Sequence, residues 1–510
     1  MLTLAQLFDR TVRHHRGRPA VVDGDNRLSW AELGERVAVA AGVLGELGLG
    51  TGRRFAIQAP NSPRFDELKW AGFRAGAVPV PVNWRLAAPE IEHILRDAEC
   101  ETIFVASEFL PVYDAPALAP WRDKLICLTG EAPEGMAHYD DLFAGASAAG
   151  ITPTAAGDDA ILQYTGGTTG RSKGVRISST NVISSQLGFA MGLRARPDDV
   201  YLHLAPMFHS ADLLAMAWTL VGGAHAYLPA FTPAAFLECV ARNQVTSTIA
   251  VPTMLMMTLG DPAFEKADLS SLRLLGWGAS PMDPEWVRRV AKAFPDIDIS
   301  NCYGLTETAP DLTLFEPDEL RRAIAEDDPA VASVGKPNAI VRLRVVDEAG
   351  NDVAEGASGE LLARGPNITH GYLNLPELTK TALADGWLHT GDVARIDERG
   401  YVYLLDRVKD MIVSGGENVY SSEVEGALYT HPGVHECAVI GLPDDTYGEI
   451  VTAVVVPTAD TDLDADTLIA HCRPLIAGFK LPRRIEFVET LPKSAMGKIL
   501  KTDLRARTKN

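Results

Sequence analysis

What the sequence has little of narrows it first. Cysteine is sparse: six residues in 510, at Cys100, Cys127, Cys239, Cys302, Cys437 and Cys472, with no CxxC pair. That excludes a dense disulfide framework and points to a reduced compartment. Positive charge is in deficit, with 47 Lys plus Arg against 67 Asp plus Glu and a net charge of −20. A surface that neutralises a nucleic-acid backbone must be basic, so a general nucleic-acid binder is excluded, while local binding of a phosphate-bearing ligand is not. Long apolar runs are missing too. The most apolar stretch, residues 213–231, is interrupted by Gly222, Gly223, His225 and Pro229, so it reads as a helix, a turn and a strand and not as a membrane span. Asp9 and Arg10 break any signal-peptide core. Leu4, Leu7, Phe8 and Val12 have helical spacing and predict a packed amphipathic helix instead. No internal repeat or low-complexity tract is visible. These absences predict a cytoplasmic protein without a membrane or nucleic-acid partner.

What is present is an ordinary globular composition, 46% hydrophobic and 22% charged, in a chain long enough for more than one domain. Strand-like runs at residues 55–59, 102–106, 160–164, 200–204 and 247–251 alternate with helical segments. That alternation predicts α/β layers with largely parallel sheets. From Val334 the texture changes to strands with tight turns, at residues 340–346 and 359–364, which predict a small β-rich subdomain closed by residues 401–407. Beyond it the pattern predicts helices at 422–429 and 465–477 and strands at 436–440 and 451–456. A domain boundary is expected near Val408 and Lys409, giving domains 1–408 and 409–510.

The densest chemical signal is Tyr164-Thr-Gly-Gly-Thr-Thr-Gly-Arg-Ser-Lys-Gly-Val175, directly after a strand-like run. Gly166, Gly167, Gly170 and Gly174 let the backbone approach a ligand closely. Thr165, Thr168, Thr169 and Ser172 add hydroxyls, and Lys173 adds charge. Backbone N–H groups, hydroxyls and one ammonium suit a polyphosphate. The loop is not a Walker A motif, because Gly174 and not Ser or Thr follows Lys173, and it is not a dinucleotide fingerprint.

This stretch resembles the signature loop of the adenylate-forming enzymes: the acyl-CoA ligases, nonribosomal adenylation domains and luciferases. Six further segments keep the order of that family: Pro206-Met-Phe-His209, Gly276-Trp-Gly-Ala-Ser-Pro281, Tyr303-Gly-Leu-Thr-Glu-Thr308, Thr390-Gly-Asp392, residues 406–418, and Pro492-Lys-Ser-Ala-Met-Gly-Lys498. The resemblance implies an α/β fold: a large N-terminal domain with two α/β sheet subdomains plus a small β-rich subdomain, and a small mobile C-terminal α+β domain. It also implies ATP and Mg²⁺ as requirements, and a reaction in which a carboxylic acid and ATP give acyl-AMP and pyrophosphate. Either a monomer or a homodimer is expected.

The resemblance assigns roles residue by residue. Glu307 would hold Mg²⁺, an ion that prefers oxygen ligands and phosphates. Thr306 and the hydroxyls of Thr165, Thr168 and Thr169 would orient phosphates. Tyr303 would offer a flat face to adenine, and Gly278, Ala279 and Ser280 would approach the base by backbone. Asp392 would accept the ribose hydroxyls, and Arg407 would contact ribose or phosphate. Lys498 is the leading catalytic candidate, an ammonium placed between carboxylate and α-phosphate. Lys409 falls at the hinge between two orientations of the small domain, which would present Lys498 first and residues 414–418 second.

The acyl pocket is expected to include His209, Tyr227, Thr253, Met254, Trp277, Gly278, Cys302 and Pro310, with His209 gating it. The bulk of Trp277 would shorten the pocket and favour an aryl or medium-chain acid. Amino-acid adenylation domains usually carry Asp where His209 stands, and no carrier domain follows Asn510, so a nonribosomal module is not expected. Asp212 departs from the family, which often has a small residue there. It reads either as a helix N-cap before residues 213–220 or as a general base beside the acyl-adenylate. The second reading is similar to the amide bond synthetase branch. The acceptor is therefore coenzyme A, making a thioester, or an amine, making an amide. His431 and His435 are four apart, but Pro432 and Gly433 break the spacing, and no zinc site is expected.

Overall fold

The helical spacing at the N-terminus becomes the helix Leu4–His15, capped by Thr3, whose hydroxyl accepts the Gln6 N–H. It belongs to a computed structural model that describes residues 2–165, 171–415, 417–444, 446–459, 461, 463–493 and 499–507. Chain contacts divide the protein into two units. The first comprises Met1–Thr165, Ser172–Leu343 and Ala363–Leu388, and the second includes Arg344–Leu362 and His389–Asn510.

The first unit is mixed α/β. One of its sheets runs Val78–Pro81, Arg54–Gln58, Thr102–Ala106, Leu125–Thr129, all parallel. Thr102–Ala106 is buried along its whole length, as expected of a parallel strand covered on both faces. A nine-stranded sheet has a parallel centre in the order Asp298–Tyr303, Leu274–Gly278, Ser247–Ala250, Val200–His203, Ala224–Tyr227, Pro19–Asp23. Antiparallel strands close both edges. The chain leaves Val200–His203, adds Ala224–Tyr227 on one side, then crosses back to add Ser247–Ala250 on the other. Ligands of open α/β sheets bind beside the carboxyl ends of strands at such a reversal.

The interrupted apolar stretch resolves as expected, into a short 3-10 helix Ser210–Ala215, the helix Met216–Val221, a left-handed turn at Gly222 with φ of 79°, and the strand Ala224–Tyr227. No described helix is long and apolar enough to cross a membrane. One helix departs from the usual amphipathic pattern. Pro63–Ala75 buries Asp66, Glu67 and Lys69. Glu67 is held by Arg36 at 2.5 Å, Arg64 at 3.0 Å and the Tyr139 hydroxyl at 2.8 Å.

The β-rich segment expected after Val334 forms a four-stranded sheet, Arg342–Val346, Ser358–Arg364, Leu388–Ile396, Val402–Arg407. The C-terminal stretch builds a five-stranded sheet around the long antiparallel pair Val434–Asp444 and Gly448–Pro457. One face of that pair buries Cys437, Val439, Val451, Ala453 and Val455 against the helix Ser421–Tyr429 and Leu468. The other face buries Ala438, Ile440, Val454 and Val456 with Leu491 and Leu504. This alternation is the period of two of a strand covered on both sides. The helix expected over residues 465–477 ends earlier, at Cys472: Pro474 has no N–H to extend it and restricts Arg473 before it. All six cysteines are buried and unpaired.

Candidate active site

The strands Asp159–Thr165 and Lys173–Ser178 pair antiparallel, with Thr165 opposite Lys173 and Tyr164 opposite Gly174. The glycine-threonine segment therefore joins the two arms of a hairpin. Gly166, Gly167, Thr168, Thr169 and Gly170 themselves lie outside the described residues. Gly174 is needed because any Cβ there would meet the Tyr164 ring at 2.9 Å. Lys173 Nζ sits 5.7 Å from the centre of the Tyr372 ring. The Tyr372 hydroxyl donates to Glu307 Oε1 at 2.9 Å. Burial, then the Glu307 charge, pushes the Tyr372 phenol far above its ordinary range, so it stays a donor. Tyr372 thus links two residues that the sequence assigned separately.

The remaining acid-side candidates share one location. His209 follows the carboxyl end of Val200–His203, and Tyr227 closes Ala224–Tyr227. Thr253 and Met254 follow Ser247–Ala250, Trp277 and Gly278 end Leu274–Gly278, and Cys302 and Tyr303 end Asp298–Tyr303. These are the carboxyl ends of consecutive parallel strands around the reversal point. Two contacts between backbones there demand glycine. A Cβ on Gly278 would lie 2.7 Å from the Cys302 carbonyl oxygen, and one on Gly304 would lie 1.7 Å from that of Pro310. Ala279 takes a left-handed φ of 68°, and Ala279 and Ser280 are exposed. Thr306, Glu307 and Thr308 form one 3-10 turn, and Thr306 Oγ1 is 2.9 Å from Ser210 Oγ, next to His209. Trp277 is buried, and its indole N–H has no hydrogen-bond partner among the described residues.

Asp212 does not cap the helix after it. His209 is the cap of Ser210–Ala215, its Nδ1 accepting the Ala211 N–H at 3.1 Å. Asp212 is the third residue of that helix, and its side chain turns inward, where it is 2% exposed. Lys69 Nζ lies 3.1 Å from Oδ2, and His203 Nδ1 donates to Oδ1 at 2.5 Å. Burial alone would raise the pKa of this carboxyl, but His203 and Lys69 outweigh it and hold the group well below the ordinary carboxylate range. The cluster extends through Lys69 to Asp66 at 3.0 Å, and from Asp66 to the Tyr227 hydroxyl at 3.1 Å. Tyr227 also stacks on His203, with ring centres 4.6 Å apart. Tyr227 therefore faces this sealed cluster.

Sequence reasoning singled out none of Asn61, Asp66, Lys69, His203 or Tyr372. Most of the contacts that bring them in span long stretches of chain, 143 residues for Lys69 and Asp212; the shorter ones, His203 with Asp212 nine residues on and Asp66 with Lys69 three on, belong to no motif. Arg85 was missed as well. It is exposed, its guanidinium lies 4.3 Å over the Trp84 ring and 5.9 Å from that of Phe208, and no carboxylate pairs with it among the described residues.

In the second unit, Asp392 and Arg407 face each other on antiparallel strands, with Arg407 Nε 2.7 Å from Asp392 Oδ1. The Thr390 hydroxyl accepts the Asp392 N–H at 3.1 Å and donates to the Leu361 carbonyl at 2.7 Å, which fixes the turn of the TGD segment. Lys409 lies in the exposed turn at residues 408–410, next to Asp410, which pairs with Arg505 at 2.9 Å. Lys498 lies outside the described residues. Lys493 and Ile499, on either side of residues 494–498, form an antiparallel bridge. The described residues contain no group of three or more His, Cys, Asp or Glu arranged for a metal ion. A magnesium ion bridged by phosphates needs only one or two protein carboxylates, so that absence does not bear on the role expected of Glu307.

Layered α/β sheets, two paired strands that flank the glycine-threonine segment, and candidate residues gathered at strand ends fit an adenylate-forming ligase. The chain belongs to the AMP-binding enzyme family: the model of that family matches residues 8–373, and that of the AMP-binding enzyme C-terminal domain matches residues 423–498. The chain is 38% identical over 490 residues to a feruloyl-CoA synthase from an Amycolatopsis species, covering 96% of this chain and 95% of the relative. Its fold matches the ATP-bound crystal structure of MatB from Rhodopseudomonas palustris with a TM-score of 0.88 and 34% identity, covering 100% and 99% of the two chains. It matches the amide bond synthetase McbA from Marinactinospora thermotolerans with a TM-score of 0.87 and 29% identity, covering 99% of each. Similarity to acyl-CoA ligases and to an amide bond synthetase thus coexists in one chain.

Proposed function

We propose that this protein is an acid–CoA ligase of the cytoplasm that activates an aryl or medium-chain carboxylic acid. In the first step a carboxylate oxygen attacks the α-phosphorus of ATP, and pyrophosphate leaves. In the second the thiolate of coenzyme A attacks the acyl carbon, and AMP leaves with the bonding electrons. Lys498 stabilises the charge that develops between carboxylate and α-phosphate. Thr165, Thr168, Thr169, Thr306 and Lys173 orient phosphates, and Glu307 holds the magnesium ion that neutralises them. Gly278, Ala279, Ser280 and Tyr303 hold adenine, while Asp392 and Arg407 hold ribose. His209, Thr253, Met254, Trp277, Gly278, Cys302 and Pro310 line the acid pocket, while Tyr227, expected among them, turns its hydroxyl to Asp66 in the sealed cluster. The domains of this cycle are 1–408 and 409–510, with Lys409 as the hinge.

The observation that carries the choice of thiol is the state of Asp212. An amine nucleophile arrives as an ammonium and must lose a proton, whereas a thiol ionises far more readily. The only acid suggested as its base has both oxygens engaged by Lys69 and His203 and an acidity well above that of an ordinary carboxyl. A base of that kind accepts a proton poorly. The exposed Arg85 guanidinium, without an acid partner among the described residues, suits a phosphate of coenzyme A. The aryl preference is supported by the bulk of Trp277 and by similarity to the feruloyl-CoA synthase.

The test gives purified protein ATP, Mg²⁺ and a panel of acids, with coenzyme A or a simple amine. We expect acid-dependent pyrophosphate release, a thioester product, and aryl acids well ahead of palmitate. Lys498→Ala should slow acyl-adenylate formation by about 100-fold to 1,000-fold. Amide in place of thioester would overturn the acceptor and favour the branch of McbA, and pyrophosphate release without any acid would overturn the reading entirely.

A further inference from the structure

Residues 204–209 form a loop between the strand Val200–His203 and the 3-10 helix Ser210–Ala215, and the side chains that flank it are tied together. His203 Nδ1 donates to Asp212 Oδ1 at 2.5 Å, which closes the loop across its base. Lys69, from the helix Pro63–Ala75, holds the other carboxylate oxygen from beneath at 3.1 Å. Inside the loop, Asn61 accepts the Met207 N–H at 2.8 Å and donates to the carbonyls of His203 and Ala205 at 2.9 Å each. The far end of the loop carries His209, whose ring accepts the Ala211 N–H, and runs into Ser210, whose hydroxyl meets that of Thr306.

A buried ion pair is not a favourable way to gain stability, because desolvation offsets the attraction and an apolar pair of similar volume does as well or better. Apolar contact is non-directional, however, and leaves the register of a loop free. A charge-assisted hydrogen bond is short and directional, and here it joins the two ends of the segment that presents His209. His203, Asp212 and Lys69 are all 2% exposed or less, so no substrate reaches them.

We propose that His203, Asp212 and Lys69 form a clasp that positions the His209 segment for binding the acid. They are positioning residues and not catalytic ones. What the loop binds rests on the ligase reading above; the clasp itself rests on the contacts within the loop.

The decisive variant is the double replacement Lys69→Met with Asp212→Leu on an Asp66→Asn background, which removes all three charges of the cluster together and leaves none of them unpaired. Two quantities are read: steady-state KM for the acid and for ATP, and hydrogen exchange of the backbone amides of residues 205–211. The expected result is a rise of at least tenfold in KM for the acid with KM for ATP within twofold. Exchange in the loop should quicken at least tenfold while the strand Arg54–Gln58 keeps its protection. Unchanged acid KM with unchanged loop exchange overturns the clasp, whatever happens to the melting temperature, and so does an equal rise in both KM values. If the wild-type protein activates no acid at all, the ligase reading falls, and loop exchange in this variant alone decides the clasp.

Discussion

Asp212 and Asp392 are both buried carboxylates bound to a cation, and they teach opposite lessons. Asp212 is paired with Lys69, itself 2% exposed, and its second oxygen is taken by His203. Nothing of that group faces solvent or ligand. Asp392 is paired with Arg407 across two antiparallel strands, and the Arg407 side chain is 43% exposed. Its cation opens outward, where a ribose or phosphate can meet it. The sealed pair acts on the chain, and the open pair is the one proposed to meet a ligand. Sequence motifs flagged the second kind through its neighbours, Thr390, Gly391 and Val408. They gave the first kind no signal beyond the odd acid at position 212.

Removing one cation from each pair tests the contrast most strongly. Lys69→Met strands Asp66 and Asp212 together in a sealed site, and breaking a buried pair by deleting one partner costs about 3–5 kcal/mol. With two acids stranded, a loss of about 5 kcal/mol is expected in urea denaturation of the unit that contains them. Arg407→Met removes a half-exposed guanidinium, and exposed pairs contribute about 1 kcal/mol or less. Equal losses in the two variants would erase the distinction.

Asp311 sharpens it from another side, being a sealed carboxyl with no cation paired to it among the described residues. It is fully buried, and Asn338 Nδ2 donates to both of its oxygens at 3.0 and 2.8 Å. Burial pushes its pKa up from 3.8 to about 7, with Asn338 only partly offsetting the rise. The sign follows from proton binding. Between pH 4 and pH 7 the folded protein holds a proton that the unfolded chain has released, so stability falls as pH rises through that window and levels off above it. Roughly three pH units correspond to about 4 kcal/mol. Urea denaturation at pH 5 and pH 7.5 should show this fall in the wild type and a markedly smaller one in Asp311→Asn. The same fall in both would mean that Asp311 is already ionised at pH 5.

The contrast also explains what the sequence made legible. Parallel strands, the interrupted stretch at 213–231 and the β-rich segment follow from local periodicity and turn residues, which act within a few positions. The helix expected to reach residue 477 fails for a local reason too, the proline at 474. The site residues named from motifs share short segments, and the fold brings most of those in the first unit to neighbouring strand ends. The Lys69 half of the clasp, the Asn61 anchor and the Tyr372 link to Glu307 join residues 65 to 146 positions apart. Their chemistry exists only once the sheets are assembled. A single sequence shows an acid at 212 but not the lysine beneath it.

The smallest stability effect, paired with a large functional one, is expected at Asp392. A carboxylate that accepts both ribose hydroxyls makes charged hydrogen bonds of about 1.5–3 kcal/mol each. Asp392→Ala should therefore lower kcat/KM for ATP by roughly 100-fold, with kcat/KM for the acid at saturating ATP far less affected. The unpaired Arg407 keeps its access to water, so the unfolding free energy of the second unit in urea should change by no more than about 1 kcal/mol. The readout is pyrophosphate release across a range of ATP concentrations, alongside denaturation of the same preparation. A variant that loses stability and keeps its affinity for ATP would place Asp392 with Asp212, as a group that holds the chain together, and would leave the open pair without its ligand.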